Sequence, residues 1–549
     1  MGLRVSPISN YAVNKQRMQK REQKNVSPSF EARVPQAKMM ADFTNYAPYI
    51  KTLGMYKLPI HNESIGAKMK PIYTYRSFKD LYEFARSKGV FNYIMNEKTG
   101  LVKTSFAETE ENELMSDLIW ITDTCNNMAL VKQNEPHRCT DVFNKVTEFY
   151  VAQQGAFDHA IANPHEYNYN GLFWAGEQKV GIGHCFIPDT KEAHPWYPKT
   201  RLESIGNYMQ TAADLIVAGM CGSYYGYEKA EDVPDSVVNS IANCTAYVKA
   251  LNYPIARSCG AWEERTFVYS LTSDTSIINE GLRGVMDLMY TQTANENILA
   301  LRERIYNSKH GDVFKDKEAL EQLLKAGERR VRENPNVETL PKIDYEVHPN
   351  DKDSLARQYD AAMSFMPQTE TLVADNLNLD AKRKLDILDE LSYAIVRDNG
   401  AIRYAGDGYL KLDSHTNSDK FSQDFEAEWF LVTEISKGYG SVAKQILDSI
   451  EKDPHCSDET IELLKTALNK QMEYINRGYA RITPSGMTKA NGYPCPAYKV
   501  PEAYEAVTDS EGKIKYVPGA HPLTWAAASL KTASDLLLDN LNRIENLWM

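Results

Sequence analysis

Apolar residues recur every three or four positions through most of the chain, a spacing that predicts amphipathic helices. The clearest case lies near the C-terminus, where Leu523, Leu530, Leu537 and Leu541 mark one helical face. Pro522 fits the start of that helix, because proline is tolerated in a first helical turn. Strand patterns are few and short. The segments predicted to be helical are 78–88, 112–132, 140–162, 200–221, 236–252, 274–308, 316–333, 380–398, 421–437, 440–452, 457–477 and 523–546.

Long connections separate several of these helices, at 163–199, 334–379, 399–420 and 478–522. Loops of that length without regular structure are uncommon inside a compact domain and are usually functional. Periodicity by itself predicts only a mostly helical protein. Helices in this number with long connections on one side are compatible with an α/α toroid, in which an inner ring of helices surrounds a crater and the loops form the site, and the choice of that fold rests on the motifs described below.

The chain divides by composition. Residues 1–40 are polar and basic with no apolar period, which predicts a disordered extension. We expect 41–110 to be a further extension that packs on the helical domain, and 111–549 to be that domain. The N-terminus has no apolar core of a secretory signal, and no apolar run reaches the length of a membrane helix. The sequence thus predicts a soluble cytoplasmic protein without a membrane partner.

Charge and cysteine content exclude several classes. A formal net charge of −12 and a pI near 5.6 argue against a broad nucleic-acid-binding face. The eight cysteines include no C-x-x-C pair, so we expect buried reduced thiols and no zinc site. No nucleotide-binding glycine motif and no H-E-x-x-H occurs, so neither a cofactor nor a metal is expected. The 33 tyrosines suit sugar binding and equally suit an ordinary core.

Trp262, Glu263 and Glu264 follow a helical pattern that ends at Pro254, and a new apolar run begins after Arg265. They are therefore predicted to lie on a loop between helices, where functional residues are often displayed. A carboxyl beside an apolar ring has its charged form desolvated, so it stays protonated near neutral pH and can act as a general acid. A buried Trp beside a solvated Glu-Glu pair fits the same residues.

Further stretches complete an ordered set. In chain order these are Trp120-Ile121-Thr122-Asp123, Arg201-Leu202-Glu203, Gly260-Ala261-Trp262-Glu263-Glu264, Arg403-Tyr404-Ala405-Gly406-Asp407, Glu426-Ala427-Glu428-Trp429, Val500-Pro501-Glu502 and His521-Pro522-Leu523-Thr524-Trp525. This order resembles the glucoamylase-like glycoside hydrolase family fifteen, and especially the related domains in the regulatory α and β subunits of phosphorylase kinase. The resemblance runs from about residue 110 to the C-terminus and implies an (α/α)6 barrel.

The resemblance also implies roles. Glu263 matches the family's general acid, and Glu502 matches the general base. Asp123 and Arg403 match residues that bind the terminal sugar, although Arg403 equally suits an ion pair with Asp407. The remaining residues of the predicted substrate-binding set are Trp120, Trp262, Trp429, Trp525, Glu264 and Asp407.

Family members invert the anomeric centre, so Glu263 would protonate the glycosidic oxygen while Glu502 activates a water on the opposite face. The two carboxyls should then lie about 6.5–9.5 Å apart. Glu502 has to stay ionised, so we expect it in a more polar surrounding than Glu263.

Two departures affect binding. Thr122 stands where the family usually has an arginine, which removes a charged donor to the terminal sugar. Lys132 and Arg138 are the nearby candidates to replace it. The stretch at Arg201-Leu202-Glu203 also differs from the family pattern.

Three hypotheses remain open. The first is an inverting, exo-acting α-glucosidase that hydrolyses glucans or malto-oligosaccharides, with trehalose or α-1,6-linked glucosides as variants. The second is a non-hydrolytic glucan-sensing or regulatory module like the phosphorylase kinase subunits. The third is another toroid enzyme, a polysaccharide lyase or an epimerase, which the acidic balance and the paired carboxylates disfavour. In the first two the partner is an α-glucan or oligosaccharide; oligomeric state is left open.

Overall fold

The computed structural model describes residues 73–105, 117–169, 181–195, 201–262, 270–333, 339–340, 359–368, 377–404, 407, 426–452, 456–483, 494–508, 510–519 and 522–547. The predicted disorder of 1–40 and most of the predicted 41–110 extension lie outside these residues. The division into domains therefore stays a prediction.

The described part of the chain is mostly helical, with short strands at the helix ends. The α-helices are α1 (Tyr75–Ser87), α2 (Ile121–Asn134), α3 (Cys139–Ala152), α4 (Gln154–Ala162), α5 (Pro164–Tyr169), α6 (Glu203–Met220), α7 (Asp235–Ala250), α8 (Thr272–Tyr290), α9 (Glu296–Tyr306), α10 (Lys317–Glu333), α11 (Leu377–Ile395), α12 (Val432–Lys452), α13 (Asp458–Tyr479) and α14 (Thr524–Leu547). The 3₁₀ helices are Pro136–Arg138, Ala230–Asp232, Tyr253–Ile255, Gly311–Lys315 and Ala361–Gln368. The strands are β1 (Ile119–Trp120), β2 (Cys185–Phe186), β3 (Ser270–Leu271), β4 (Thr339–Leu340), β5 (Glu428–Trp429), β6 (Ala503–Thr508) and β7 (Ile514–Pro518).

Helix contacts close into a ring. In order around the ring, α2 packs on α6, α6 on α8, α8 on the 3₁₀ helix Ala361–Gln368, that helix on α12, α12 on α14, and α14 back on α2. Each ring member also contacts a helix outside the ring, in the same order α3, α7, α10, α11, α13 and α1. Six inner elements and six outer helices make the (α/α)6 barrel, which confirms the predicted fold. One inner position is filled by a 3₁₀ helix in place of a full α-helix.

The ring closes tightly between α6 and α8. A Cβ on Gly281 would lie 2.3 Å from the carbonyl oxygen of Gly206, and a Cβ on Gly206 would lie 2.7 Å from the carbonyl oxygen of Ile277. Any larger residue would push two inner helices apart, so these glycines set their spacing.

Several predicted helix boundaries are wrong. The segment 274–308 forms two helices, α8 and α9, with Asn295 capping the second. The break predicted between 437 and 440 does not occur, because α12 (Val432–Lys452) runs through Gly438 and Gly440. These glycines allow close packing, since a Cβ there would lie 2.7 Å from the Leu388 side chain or 2.4 Å from that of Gln471. The segment 140–162 is two consecutive helices that meet at Gln153.

Sheet structure is confined to small antiparallel pieces. Strand β1 pairs with β2, β3 with β4, and β5, β6 and β7 form a three-stranded sheet. The β6–β7 hairpin, whose turn uses Gly512 at φ +76°, was not predicted. All eight cysteines are described as free thiols; six are buried as predicted, whereas Cys221 is exposed and Cys456 is half-buried. None of the described helices combines the length and apolarity needed to span a bilayer.

Candidate active site

The predicted site residues gather where the inner helices begin. Asp123 is in the first turn of α2, Trp525 is in the first turn of α14, and Trp429 lies three residues before α12. Trp262 lies in the connection between α7 and α8, so the loop placement predicted for it is confirmed. Positions more than 400 residues apart along the chain thus meet at one end of the barrel.

Glu502 is fixed by backbone contacts to this end of the barrel. Its carbonyl oxygen accepts a hydrogen bond from the Phe430 amide at 3.1 Å, just before α12. Its neighbour Pro501 forms an antiparallel bridge with Pro522, just before α14. Glu502 is therefore positioned by two inner helices at once.

Glu502 as a residue is half-buried, and burial of its carboxyl is the main cause that raises its pKa to about 7. The positive charge of Arg403 acts to lower this pKa, while the negative charges of Glu505 and Asp123 act to raise it. These interactions put Asp123, Arg403 and Glu502 within electrostatic reach of one another. Three of the residues selected from the sequence therefore share one site.

The surrounding of Glu502 is less polar than the sequence analysis expects for a general base. A carboxyl with a pKa of about 7 is present in both protonation states at neutral pH, whereas a solvated glutamate is almost wholly ionised. Such a pKa suits proton transfer, since a base is most effective when its pKa lies near the working pH.

Arg403 is held by Asp407 and two tryptophans. Its Nε and Nη2 donate to Oδ2 and Oδ1 of Asp407 at 2.6 and 2.7 Å. Its guanidinium carbon lies 5.4 Å from the ring centroid of Trp262 and 4.9 Å from that of Trp429. The ion pair between Arg403 and Asp407, which the sequence offered as an alternative role for Arg403, is therefore present. A contact of either residue with sugar stays a prediction.

The aromatic candidates differ in accessibility. Trp429 is buried, and its ring centroid lies 6.3 Å from that of Trp262. Trp120, Trp262 and Trp525 are half-buried, so each has surface left for a ligand. Their contact with a sugar stays a prediction. Glu263 and Glu264 lie outside the described residues, and the predicted spacing of the two catalytic carboxyls remains a prediction.

Neither proposed substitute for the missing arginine lies beside Asp123. Lys132 is nine residues further along α2, about 13 Å away at the rise of an α-helix, and forms an ion pair with Asp214. Arg138 pairs with Glu135 beyond the end of α2. The expectation that one of them replaces the arginine is wrong. The Thr122 hydroxyl is itself buried and has no hydrogen-bond partner among the described residues.

Glu203, Asp274 and Glu434 are buried carboxylates in the first turns of α6, α8 and α12, where the helix dipole favours negative charge. Glu203 belongs to a stretch that the sequence singled out, whereas Asp274 and Glu434 were not predicted. Glu434 accepts a hydrogen bond from Ser529 at 2.5 Å and pairs with Lys437 at 2.6 Å, which ties α12 to α14. An acidic residue one to three positions after a helix start is the signal that was available.

Glu428 is a second carboxyl whose pKa is raised to about 7, again mainly by burial. It is 4% exposed, accepts a hydrogen bond from the Asn399 amide, and interacts with the buried guanidinium of Arg481. This closed surrounding leaves no room for substrate, so we assign Glu428 a structural role. No group of three or more His, Cys, Asp or Glu in the described part of the chain has a metal-binding arrangement.

Comparisons with known proteins add only distant likenesses. No family model matches the chain, and no curated protein matches it. A solved structure titled "Glycosidase Wild Type" is 13% identical, with a TM-score of 0.47, over 85% of this chain and 98% of that chain. The glucoamylase from Saccharomycopsis fibuligera is 14% identical, with a TM-score of 0.48, over 90% of this chain and 99% of that chain. Likenesses this distant do not define an activity.

Proposed function

We propose that this protein is a glycoside hydrolase, an inverting and exo-acting α-glucosidase that acts on glucans or malto-oligosaccharides in the manner of a glucoamylase. Glu263 is the general acid, Glu502 is the general base, and Asp123 and Arg403 bind the terminal sugar. The observation that carries the proposal is the convergence of Asp123, Arg403 and Glu502, each expected in the site from its sequence motif, on one end of the barrel.

The chemistry of Glu502 supports the assignment. Its ionised form takes a proton from a water molecule as that water attacks the anomeric carbon. Its raised pKa, about 7, increases its strength as a base over that of a solvated glutamate. Arg403 stabilises the ionised form, so the base remains available near neutral pH.

The aromatic surface supports a sugar substrate. Trp262 is half-buried beside Arg403, and Trp525 is half-buried at the start of α14. Ring faces of this kind pack on the apolar faces of sugars, while carboxylates and guanidinium groups bind hydroxyls. The site combines both kinds of surface with a titrating carboxyl.

The test is glucose release from maltose, maltotetraose, isomaltose and trehalose by the purified protein and by Glu502→Gln. We expect release by the wild type on at least one of these substrates and a loss of about 10³-fold or more in Glu502→Gln, since the base is removed. Glu505→Gln is the matched control, because it removes a nearby charge and keeps the base. Substantial activity in Glu502→Gln would refute the assignment.

A non-hydrolytic glucan-sensing module is the second candidate. One observation favours it: the buried Thr122 hydroxyl stands where the resemblance implies a charged donor. Calorimetric binding of maltotetraose with no glucose release by the wild type would support this function over hydrolysis.

A further inference from the structure

Asp360 is a fully buried carboxylate that the sequence motifs do not include. It directly precedes the 3₁₀ helix Ala361–Gln368, the inner-ring element of the barrel. Its Oδ1 atom accepts two hydrogen bonds, one from the indole Nε1 of Trp262 at 2.8 Å and one from the Ala362 amide at 2.8 Å. One oxygen atom therefore links the inner ring to the Trp262 segment, 98 residues earlier in the chain.

The backbone around Asp360 is fixed from both sides. The Ala361 amide donates to the carbonyl oxygen of Arg403 at 2.7 Å. Tyr359 has a φ of +55°, a left-handed conformation that is uncommon for a bulky residue. Such a conformation persists when the surrounding contacts determine it, and it is found most often at functional sites. The backbone at Asp360 is therefore held next to the backbone of Arg403.

Trp262 connects Asp360 to the candidate active site, because it contacts both Asp360 and Arg403. Its ring lies against the guanidinium of Arg403, which also faces Trp429. A tryptophan ring can be rotated about two side-chain bonds, and the hydrogen bond to Asp360 selects one orientation.

We propose that Asp360 is a positioning residue of the active site. By accepting the indole N–H of Trp262, it fixes the ring against Arg403, which interacts electrostatically with Glu502. This inference rests on the proposed function for its catalytic consequence. Its structural consequence, the hydrogen bond and the orientation of Trp262, is measured without any turnover.

The activity effects follow from the geometry. In Asp360→Asn the amide oxygen still accepts both hydrogen bonds, so we expect kcat/KM within about threefold of wild type. In Asp360→Ala the ring is released from Arg403, and we expect kcat/KM to fall by about 10- to 100-fold, the size of effect expected for a small misplacement in an active site. Trp262→Phe removes the same hydrogen bond from the other side. In a Trp262→Phe background, Asp360→Ala should therefore lower the activity little further.

The indole ¹H–¹⁵N spectrum supplies the readout that is independent of activity. The protein has seven tryptophans, and the Trp262 signal is the one missing in Trp262→Phe. A hydrogen bond to a carboxylate is stronger than one to an amide, so the Trp262 indole proton should move upfield in Asp360→Asn and further upfield in Asp360→Ala. If Asp360→Ala does not fold, Asp360→Asn and Trp262→Phe still give this comparison.

An unchanged Trp262 indole signal in a folded Asp360 variant would overturn the proposal. So would additive losses in the double variant, because independent residues do not share one interaction. The two proposals fail separately. If the signal shifts as expected but the wild type releases no glucose, the proposed hydrolysis is wrong and the Asp360–Trp262 link stands.

Discussion

Arg403 and Asp407 form a two-pronged ion pair, with Nε and Nη2 of the arginine donating to both carboxylate oxygens at 2.6 and 2.7 Å. Both side chains are buried, at 9% and 4% exposure. Only the planar fork of a guanidinium can match both oxygens while also lying within 5.4 Å of the ring centroid of Trp262 and 4.9 Å of that of Trp429. The pair thus fixes a positive charge close to Glu502.

Arg403→Lys should therefore be damaging although it keeps the charge. A lysine ammonium makes one of the two bonds to Asp407 and loses its contact with the rings. We expect unfolding free energy to fall by about 1–3 kcal/mol and kcat/KM to fall about tenfold or more. Urea unfolding and steady-state kinetics measure both. Arg138→Lys, at the exposed pair with Glu135, is the matched control and should change stability by less than about 0.5 kcal/mol.

Hydrolysis should depend on the ionisation of Glu502. The proposed base works in its ionised form, and its pKa is raised to about 7, so the proposal predicts that kcat/KM rises with pH through about 7. Glu505 raises the pKa of Glu502, so Glu505→Gln should move this rising limb to lower pH and leave the enzyme active. A limb that stays in place would show that another group controls the ionisation.

The unfolding free energy should change with pH in the direction opposite to hydrolysis, falling where kcat/KM rises. The folded pKa of Glu502, about 7, lies above its usual value of 4.5, so between these pH values the folded state binds more protons than the unfolded state. Wild-type stability from this group is therefore lost as pH rises through 7. The unfolding free energy of Glu502→Gln minus that of wild type should therefore be about 1–3 kcal/mol larger at pH 8 than at pH 4.5. A difference that is constant with pH would contradict the burial of this carboxyl.

The close approach of α6 and α8 gives a prediction about the barrel alone. Gly281→Ala places a Cβ against the backbone oxygen of Gly206, which cannot yield without separating the helices. We expect a loss of about 1–3 kcal/mol in unfolding free energy. Gly155→Ala is the matched control, since Gly155 is exposed in α4 and a Cβ there meets nothing within 4 Å. It should be neutral or stabilising by up to about 1 kcal/mol.

Periodicity predicted the helical class because an amphipathic helix leaves a local record in the sequence. It failed where glycines serve packing between helices, as at Gly438 and Gly440 in α12, since the partner side chains are distant in the chain. It also missed the β6–β7 hairpin, where Gly512 turns the chain between two short strands. The closed ring itself follows from contacts between helices that no local pattern contains.

The candidate site likewise contains residues that the sequence predicted and residues that it missed. Asp123, Arg403 and Glu502 were selected because each lies in a recognisable stretch, and the structure brings them together. Asp360 was missed because its partner Trp262 is 98 residues away and no motif surrounds it. The desolvation of Glu502 was missed for a similar reason, since it is produced by segments that meet only in the folded barrel.

The stereochemistry of the first product tests the central claim most directly. Proton NMR distinguishes the anomers of glucose released from an α-linked malto-oligosaccharide before they interconvert. Direct attack by a water that Glu502 activates predicts β-glucose as the first product of the wild type and none from Glu502→Gln. The α-anomer as first product, or unchanged release by Glu502→Gln, would contradict inversion by this pair of carboxylates.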